Sequence, residues 1–472
     1  MEKSAAPQAA GGLRRNTVGV LGAVALAAAF MGPATSVYFG SIPAAGRAGG
    51  AMTLSFVLTA LGALLVASTI AQFARKLPTS GMGFTFVTRT FGPKAGMVAG
   101  WVLLLGYIPI PALLLAAIGT LSHDFFDKHI GVSIPWWVFT IVFAGVVMAI
   151  VNSGVRRSTR TALVFLALEI VVMTALFLTI VVKGGADGNT LSAFDPGSSP
   201  EGITGIGYGI LWGFVMFFGF ESAATLGEEA TDPRRTVPRA LFTGVLVIGA
   251  FYVLAGYALT IGVGMGGITG VESDVWDQMA STYWGSGIGW LLQLTVLNSI
   301  FAILVASFNA SVRVTFAMGR EGILPRSLGT TSASSQVPVR AGYVLMAIVL
   351  GMVLLGGIAW GPLDTWFFLS VLTAIALLFI YIGVNAALPV FYRREHPSEF
   401  SPLRHVVMPL VGTLVVLLPI YGSIWPVPDY PLNLVPYVFV AWVLIGIAYA
   451  LWAARRRPEV LTGMERAFVA ED

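Results

Sequence analysis

The most constraining feature of this chain is a succession of long apolar stretches. A helix needs about 20 predominantly apolar residues to cross the hydrocarbon core of a bilayer. The stretches are continuous rather than alternating, which predicts helices and not the strands of a membrane barrel. We predict twelve spans, at Thr17–Phe39, Met52–Phe73, Ala95–Ser122, Ile134–Ser153, Thr161–Val182, Ile203–Leu226, Val237–Val263, Gly287–Val312, Val339–Ile358, Leu363–Phe391, Val406–Trp425 and Leu432–Ala453.

Composition excludes a water-soluble globular protein. Hydrophobic residues make up 56% of the chain and charged residues 11%, whereas a soluble domain carries about 25% charged residues. Twelve spans leave no room for a separate soluble domain. We predict one membrane domain, residues 17–453, between a disordered cytoplasmic tail (1–16) and a second cytoplasmic tail (454–472). The first apolar stretch is long enough to span and more spans follow, so it is not a signal peptide.

The cations predict the orientation. Of 27 lysines and arginines, only Arg47, Lys128 and Lys183 fall on one side of a twelve-span arrangement. The others lie in the tails and the even-numbered connections, which places both termini in the cytoplasm of a cell membrane. The formal charge of +4 follows from this topology and does not indicate nucleic-acid binding.

No pattern in the sequence indicates an enzyme. The four histidines, His123, His129, His396 and His405, lie in loops or at span ends without a carboxylate at metal-ligand spacing. No glycine-rich loop ends in Gly-Lys-Ser/Thr, and no nucleophile is paired with a base. Cysteine is absent. We expect no catalytic residues, no metal site and no cofactor.

Two spans are interrupted near their middle. Span one contains Gly32 and Pro33, and span six contains Gly213 and then Phe217–Ser222, with Gly219 at its centre. Irregular backbone at membrane depth is tolerated only where it is buried in protein or lines a cavity. Breaks five spans apart are typical of an inverted-repeat transporter with its site at the midplane. The alternative is a pair of ordinary kinks filled by packing.

Two carboxylates lie within the spans. They are Glu169 in span five and Glu221 in span six. A charge at the bilayer centre is costly, so it normally faces a cavity or a partner. A buried carboxylate can also bind and release a proton near neutral pH. The alternative for each is a neutral acid that joins helices by hydrogen bonds, and for Glu221 we favour a structural or gating role over proton coupling.

A long motif identifies a family resemblance. Residues 218–240 read FGFESAATLGEEATDPRRTVPRA, which closely resembles the sixth-helix signature of amino acid–polyamine–organocation permeases. Pro78, Ser80 and Gly81, followed by Phe84, Phe86, Phe91-Gly92-Pro93 and Gly100-Trp101, resemble the connection between helices two and three of that family.

The resemblance implies an all-α fold of the leucine-transporter type, working by alternating access. Its two inverted five-helix repeats would cover about 17–183 and 203–391, with helices eleven and twelve at about 406–453.

The resemblance also implies a site at the two breaks. The substrate carboxylate would meet free backbone N–H groups at a half-helix N-terminus, where the helix dipole favours an anion. The N–H groups are those of Ala34, Thr35 and Ser36. The amine would meet carbonyl groups near Phe30 and Met31 and, just before Gly219, near Phe217 and Phe218. Aromatic rings would close over the side chain as gates, and the candidates are Tyr107, Phe218 and Phe220.

Two departures from the family pattern bear on function. Pro33 stands within the break and removes one donor, so an ordinary α-amino acid is not guaranteed as substrate. Some members carry a lysine in helix five that stands in for a sodium ion, and Glu169 occupies the matching stretch here. Helix eight offers Asn298, Ser299 and Ser307 but no adjacent hydroxyl pair for sodium. We therefore favour protons as the coupling ion.

The leading hypothesis is a secondary-active importer of an amino acid or a related amine, coupled to protons with Glu169 as the candidate titrating group and Glu221 as the less favoured one. The alternatives are an amino acid or polyamine exchanger and a sodium-coupled carrier. A channel is disfavoured because the spans lack a continuous polar lining. A substrate-sensing receptor is disfavoured because the tails are short. The expected partners are the small substrate, a proton and the bilayer.

Overall fold

The computed structural model describes residues 19–77, 82–152, 159–225, 230–320, 322–332 and 337–457. The predicted tail 1–16 and the last part of the C-terminal tail lie outside these residues. So do Pro78, Ser80 and Gly81, which belong to the second family motif.

Helices account for all the regular elements in the described ranges. The first nine are α1 Val20–Met31, α2 Pro33–Ala48, α3 Met52–Lys76, α4 Met82–Phe91, α5 Pro93–Tyr107, α6 Pro109–Ile130, α7 Trp136–Asn152, α8 Thr159–Lys183 and α9 Gly202–Phe217. The other eight are α10 Ser222–Thr225, α11 Pro233–Val263, α12 Val275–Trp284, α13 Gly289–Arg320, α14 Val339–Trp360, α15 Pro362–Glu395, α16 Met408–Gly422 and α17 Val435–Arg456.

Ten helical segments of the described chain are long and apolar enough to cross a membrane. One of them, Val20–Lys76, runs through two of the predicted spans. Trp136–Asn152, at the fourth predicted span, is also apolar but has 17 residues. The chain is therefore an all-helical, multi-pass membrane protein, as predicted. The count of twelve and the inverted repeats stay predictions.

The helices differ sharply in how much of their surface the protein covers. In the most apolar stretch of Pro93–Ile130, 89% of the residues are buried, whereas in that of Leu432–Arg456 only 22% are. Helices α16 and α17 carry rows of exposed large apolar side chains, among them Leu410, Leu414, Val440 and Leu444. These rows face outward, where hydrocarbon is the matching environment. The last two helices therefore lie at the periphery, and the buried core is built by the earlier ones.

The core brings the two interrupted spans together. Helix α2 packs along α9, α3 packs along α11, and α6 packs against both α13 and α15. The largest fully buried side chains include Trp212 and Phe214 of α9 and Tyr252 of α11. The interruptions predicted from the sequence are present: α1 ends at Met31 and α2 begins at Pro33, while α9 ends at Phe217 and α10 begins at Ser222.

The third predicted span has a local irregularity at Ile108, where the backbone dihedrals remain helical. Helix α5 ends at Tyr107, and helix α6 begins at Pro109. Pro109 and Pro111 have no N–H to donate to the preceding turn, and the carbonyl of Tyr107 accepts from the Ser311 hydroxyl at 2.9 Å instead. The backbone stays helical through Ile108, and Pro93–Ile130 forms one apolar segment as predicted, because the adjacent helix α13 supplies the donor that the prolines remove.

Candidate functional site

The break in span one is set by Gly32 and Pro33. Gly32 adopts φ 52° and ψ 69°, the left-handed conformation that glycine tolerates best, and its N–H closes α1 on the carbonyl of Ala28. Pro33 then begins α2 without a donor. Neighbouring helices take the next two N–H groups: Thr35 donates to Ser299 Oγ at 3.4 Å, and Ala34 donates to the Glu169 carboxylate.

The break in span six touches the break in span one. Gly219 lies at φ 105°, and a Cβ placed there would come within 2.3 Å of the Phe30 ring. Tyr252 joins the two breaks from α11, because its hydroxyl donates to the Met216 carbonyl at 2.7 Å and lies 3.5 Å from the Met31 carbonyl. The breaks therefore form one unit rather than two separate irregularities.

The carbonyl groups at the breaks divide into bonded and free ones. Met31 accepts from the Ser36 hydroxyl at 2.7 Å, and Phe217 accepts from the Phe220 N–H at 3.2 Å. Within the described residues, no donor reaches the carbonyl oxygens of Phe30 and Phe218. These two oxygens are the acceptors that remain for a ligand amine.

A cavity of about 60 Å³ lies between the breaks. Most of its lining is apolar, and none of the lining side chains is charged. The lining residues are Phe30, Met31, Thr35, Ser36, Gly40, Ile110, Leu113, Leu114, Val215, Phe218, Ile303, Trp366, Ser370 and Thr373. They come from α1, α2, α6, α9, α13 and α15 and from Phe218 in the break, so six helices converge on one small volume.

Some of the predicted binding residues line this cavity, and others do not. Five of them line it: Phe30, Met31, Thr35, Ser36 and Phe218. Their binding roles stay predictions, but the expectation of free N–H groups was wrong for Thr35 and Ser36, which donate to Ser299 Oγ and to the Gly32 carbonyl.

Four other predicted binding residues support the breaks without lining the cavity. Ala34 turns its N–H to Glu169, Phe217 packs on Tyr252 with ring centres 5.1 Å apart, and Gly219 abuts Phe30. Phe220 packs on Tyr381 with ring centres 5.8 Å apart.

Glu169 lies directly behind the break in span one. Its side chain is buried, and it accepts hydrogen bonds from the Ala34 N–H and the Ser299 hydroxyl. Its Oε2 atom has no hydrogen-bond partner among the residues that the structure describes. Ser299 in turn accepts the Thr35 N–H. The carboxylate is thus connected to two successive peptide groups of the break without entering the cavity.

Glu221 occupies a separate buried position. Its Oε2 accepts the Gly219 N–H at 3.1 Å, so it holds the turn within the break in span six. Its buried aromatic neighbours are Tyr107 and Tyr381, which interact with it electrostatically. Of the predicted gating residues, Phe218 therefore lines the cavity, while Tyr107 and Phe220 belong to the surroundings of Glu221.

Sequence reasoning missed the wall contributed by α6, α13 and α15. Ile110, Leu113, Leu114 and Ile303 are ordinary apolar residues of apolar helices, and nothing in the sequence distinguishes them from lipid-facing ones. Trp366, Ser370 and Thr373 carried a usable signal, since polar groups at spacings of four and three residues fall on one face of a helix.

A polar cluster joins several helices on the face predicted to be outside. Asp277 of α12 accepts from Gln293 at 2.6 Å and from the Tyr38 hydroxyl at 3.2 Å, and Lys128 lies 3.9 Å away. His129 contacts Gln293 at 3.1 Å. Burial raises the pKa of the Asp277 carboxyl, and the hydrogen bond from Gln293 and the charge of Lys128 only partly offset this effect.

Comparison with known proteins places the whole helical region in one family. A model of the amino acid permease family matches residues 19–451. The chain is similar to the methylthioribose transporter of Bacillus subtilis (strain 168), with 25% identity over 446 residues and 90% of each chain covered.

Two further relatives handle different compounds. The branched-chain amino acid permease BcaP of Bacillus subtilis (strain 168) is 25% identical, with 88% of each chain covered. The low-affinity putrescine importer PlaP of Escherichia coli (strain K12) is 24% identical, with 92% of this chain and 93% of the relative covered. The chain belongs to the amino acid permease family, and it is a membrane transporter rather than an enzyme.

Proposed function

We propose that this protein imports an amino acid or a related amine by alternating access, driven by a proton gradient across the cytoplasmic membrane. The observation that carries the proposal is the contact of two broken helices around one cavity, with a buried carboxylate behind the first break. Broken helices expose backbone donors and acceptors that can bind a small polar substrate. Relatives named for an amino acid, an amine and a methylthio sugar support a small-molecule substrate.

The free carbonyls of Phe30 and Phe218 support binding of a substrate amine. An ammonium group has three donors and no acceptor, so two carbonyl oxygens that lack protein donors are suitable partners. The cavity lining contains no carboxylate. This supports a substrate with one cationic amine over a polyamine, because a second buried charge without a partner is costly.

Glu169 is the proposed proton carrier. An ionised carboxylate only accepts hydrogen bonds, whereas a protonated one donates through one oxygen. Ionised Glu169 can hold both the Ala34 N–H and the Ser299 hydroxyl, and Oε2 is available to a proton. Protonation changes the bonding at the break itself, which links the proton to the binding geometry. The same contacts favour protons over sodium here, because the carboxylate already engages the polar groups of the break.

Uptake into proteoliposomes tests the proposal. We expect labelled amino acids or amines to accumulate without sodium when the outside is acidic, and a protonophore to abolish the accumulation. Glu169→Gln should flatten the pH dependence of uptake and retain exchange of substrate across the membrane. Glu221→Gln is the matched variant, since it neutralises the other buried carboxylate; it should lower the rate and keep the pH dependence.

Two outcomes would overturn parts of the proposal. Accumulation only from preloaded vesicles would identify an exchanger. An unchanged pH dependence in Glu169→Gln would remove this residue from the coupling mechanism.

A further inference from the structure

Three residues with polar groups lie on one face of α15 and border the cavity. Trp366, Ser370 and Thr373 are spaced by four and three residues, and all three line the cavity. The side chains are buried, with relative exposures of 3%, 0% and 0%. Their Nε1, Oγ and Oγ1 atoms have no hydrogen-bond partner among the described residues. We call these residues the α15 polar row.

Polar side-chain atoms that are this deeply buried rarely lack a hydrogen-bond partner. The great majority of buried polar side-chain atoms in proteins are hydrogen-bonded, and leaving one unpaired is costly. Serine and threonine in helices have a local solution, which is to donate to the carbonyl four residues earlier. Thr365 on the same helix uses it, with Oγ1 2.7 Å from the Gly361 carbonyl. Ser370 and Thr373 do not, so their buried hydroxyls are left without a partner beside the cavity.

The chemistry of the row defines what it can bind. An indole N–H only donates, and a hydroxyl donates and accepts; a group that satisfies the row must therefore offer an acceptor lone pair. The lining holds no charged side chain, so a further charged group on the substrate side chain would be buried there without a counter-charge from the protein. The apolar wall opposite, with Leu113 and Ile303, fits the carbon skeleton that carries the group.

We propose that the α15 polar row recognises a neutral hydrogen-bonding group, a hydroxyl or a carboxamide, on the side chain of the substrate. The inference rests on the proposed function, in which the carbonyls of Phe30 and Phe218 hold the amine of the same substrate. A site built to pair a substrate hydroxyl rejects the isosteric analogue that lacks it, because the buried groups of the site are then left unpaired.

Isosteric pairs of labelled compounds test this inference in proteoliposomes. L-threonine with L-valine covers amino acids, and ethanolamine with propylamine covers simple amines. We expect the hydroxyl-bearing member of the transported pair to be taken up at least about tenfold better, as initial rate at low concentration. Thr373→Val and Ser370→Ala should each reduce this ratio severalfold.

Two control variants separate recognition from folding. Thr373→Ser keeps the hydroxyl and should keep the preference, even if Thr373→Val proves unstable in detergent. Thr365→Val removes a hydroxyl that is already bonded within α15 and should leave the ratio unchanged.

The possible failures are distinguishable. Uptake of both members at equal rates overturns the inference and leaves the proposed function standing, as does a ratio that survives Thr373→Val and Ser370→Ala. Absence of uptake for all four compounds counts against both.

Discussion

Single residues fix the geometry of the two breaks. Gly32 and Gly219 both adopt positive φ, which a side chain with a Cβ rarely tolerates. Pro33 removes the N–H that would continue the first helix. These three residues are visible in the sequence, and they predicted the interruptions correctly. What they did not reveal is that Gly219 lies against the Phe30 ring, because that contact joins residues nearly two hundred positions apart.

Replacing Gly219 tests this contact. Gly219→Ala would place a Cβ 2.3 Å from the Phe30 ring at φ 105°, so the two breaks would have to separate. We expect a destabilisation of about 1–3 kcal/mol and loss of uptake, measured as the thermal midpoint in detergent and the initial transport rate.

Gly244→Ala is the matched control for this prediction. Its Cβ would meet no atom within 4 Å, and alanine favours a helix more than glycine does. Wild-type stability in Gly219→Ala would show that the two breaks are not in close contact.

At the scale of elements, α12 connects the helices that border the site. This short helix is not a candidate span, yet Asp277 binds it to α2 through Tyr38, to α13 through Gln293 and to α6 through Lys128. Trp276 adds hydrogen bonds to the Val37 carbonyl and the Ser41 hydroxyl of α2. The second half of span one, α2, is thereby attached to a short helix in a connection between spans.

The pH dependence of stability tests the Asp277 cluster. Burial raises the pKa of Asp277 in the folded protein, so the folded state binds this proton more readily than the unfolded chain. The resulting stabilisation is complete below the ordinary pKa near 3.8 and is lost as the pH rises through the raised value. Asp277→Asn cannot ionise, so its thermal midpoint should fall less than that of the wild type over this range.

Other charged residues lie near Asp277, so the experiment needs a control variant. Asp274 and Lys128 lie near Asp277, His129 contacts Gln293 and Asp124 lies near Tyr38, so only the difference between variant and wild type is informative. Glu272→Gln alters an exposed carboxylate on the same connection and should reproduce the wild-type profile. Parallel curves for Asp277→Asn and the wild type would contradict the prediction.

At the scale of the whole molecule, the breaks are buried by the helices around them. Interrupted backbone in a bilayer needs protein partners, and α8, α11 and α13 supply them through Glu169, Tyr252 and Ser299. The peripheral helices α16 and α17 contribute no lining residue to the cavity. The cavity is therefore built by the earlier helices, and the last two add exposed apolar surface.

The orientation of the molecule gives a prediction at this scale. Alkaline phosphatase requires disulfides and is active only outside the cytoplasm. Fused after Gly188, in the connection predicted to be outside, it should be active in a Gram-negative host. Fused after Arg457, it should be inactive, whereas a green fluorescent protein at the same position should fluoresce.

Equal phosphatase activity at both positions would contradict the predicted topology. Protein levels measured by immunoblot control for differences in expression between the two fusions.

The sequence by itself determined the membrane class, the helical fold, the positions of the two breaks and the family. These features depend on local properties, namely the length of apolar stretches, the backbone freedom of glycine, the missing donor of proline and one long contiguous motif. Only the tertiary structure decided which groups face the cavity. Ser370 and Thr373 are distinguished from the bonded hydroxyl of Thr365 by the partners they lack, and Ile110 and Ile303 are distinguished from lipid-facing residues by the helices opposite them. Such differences arise from contacts between distant segments, which helix periodicity does not specify.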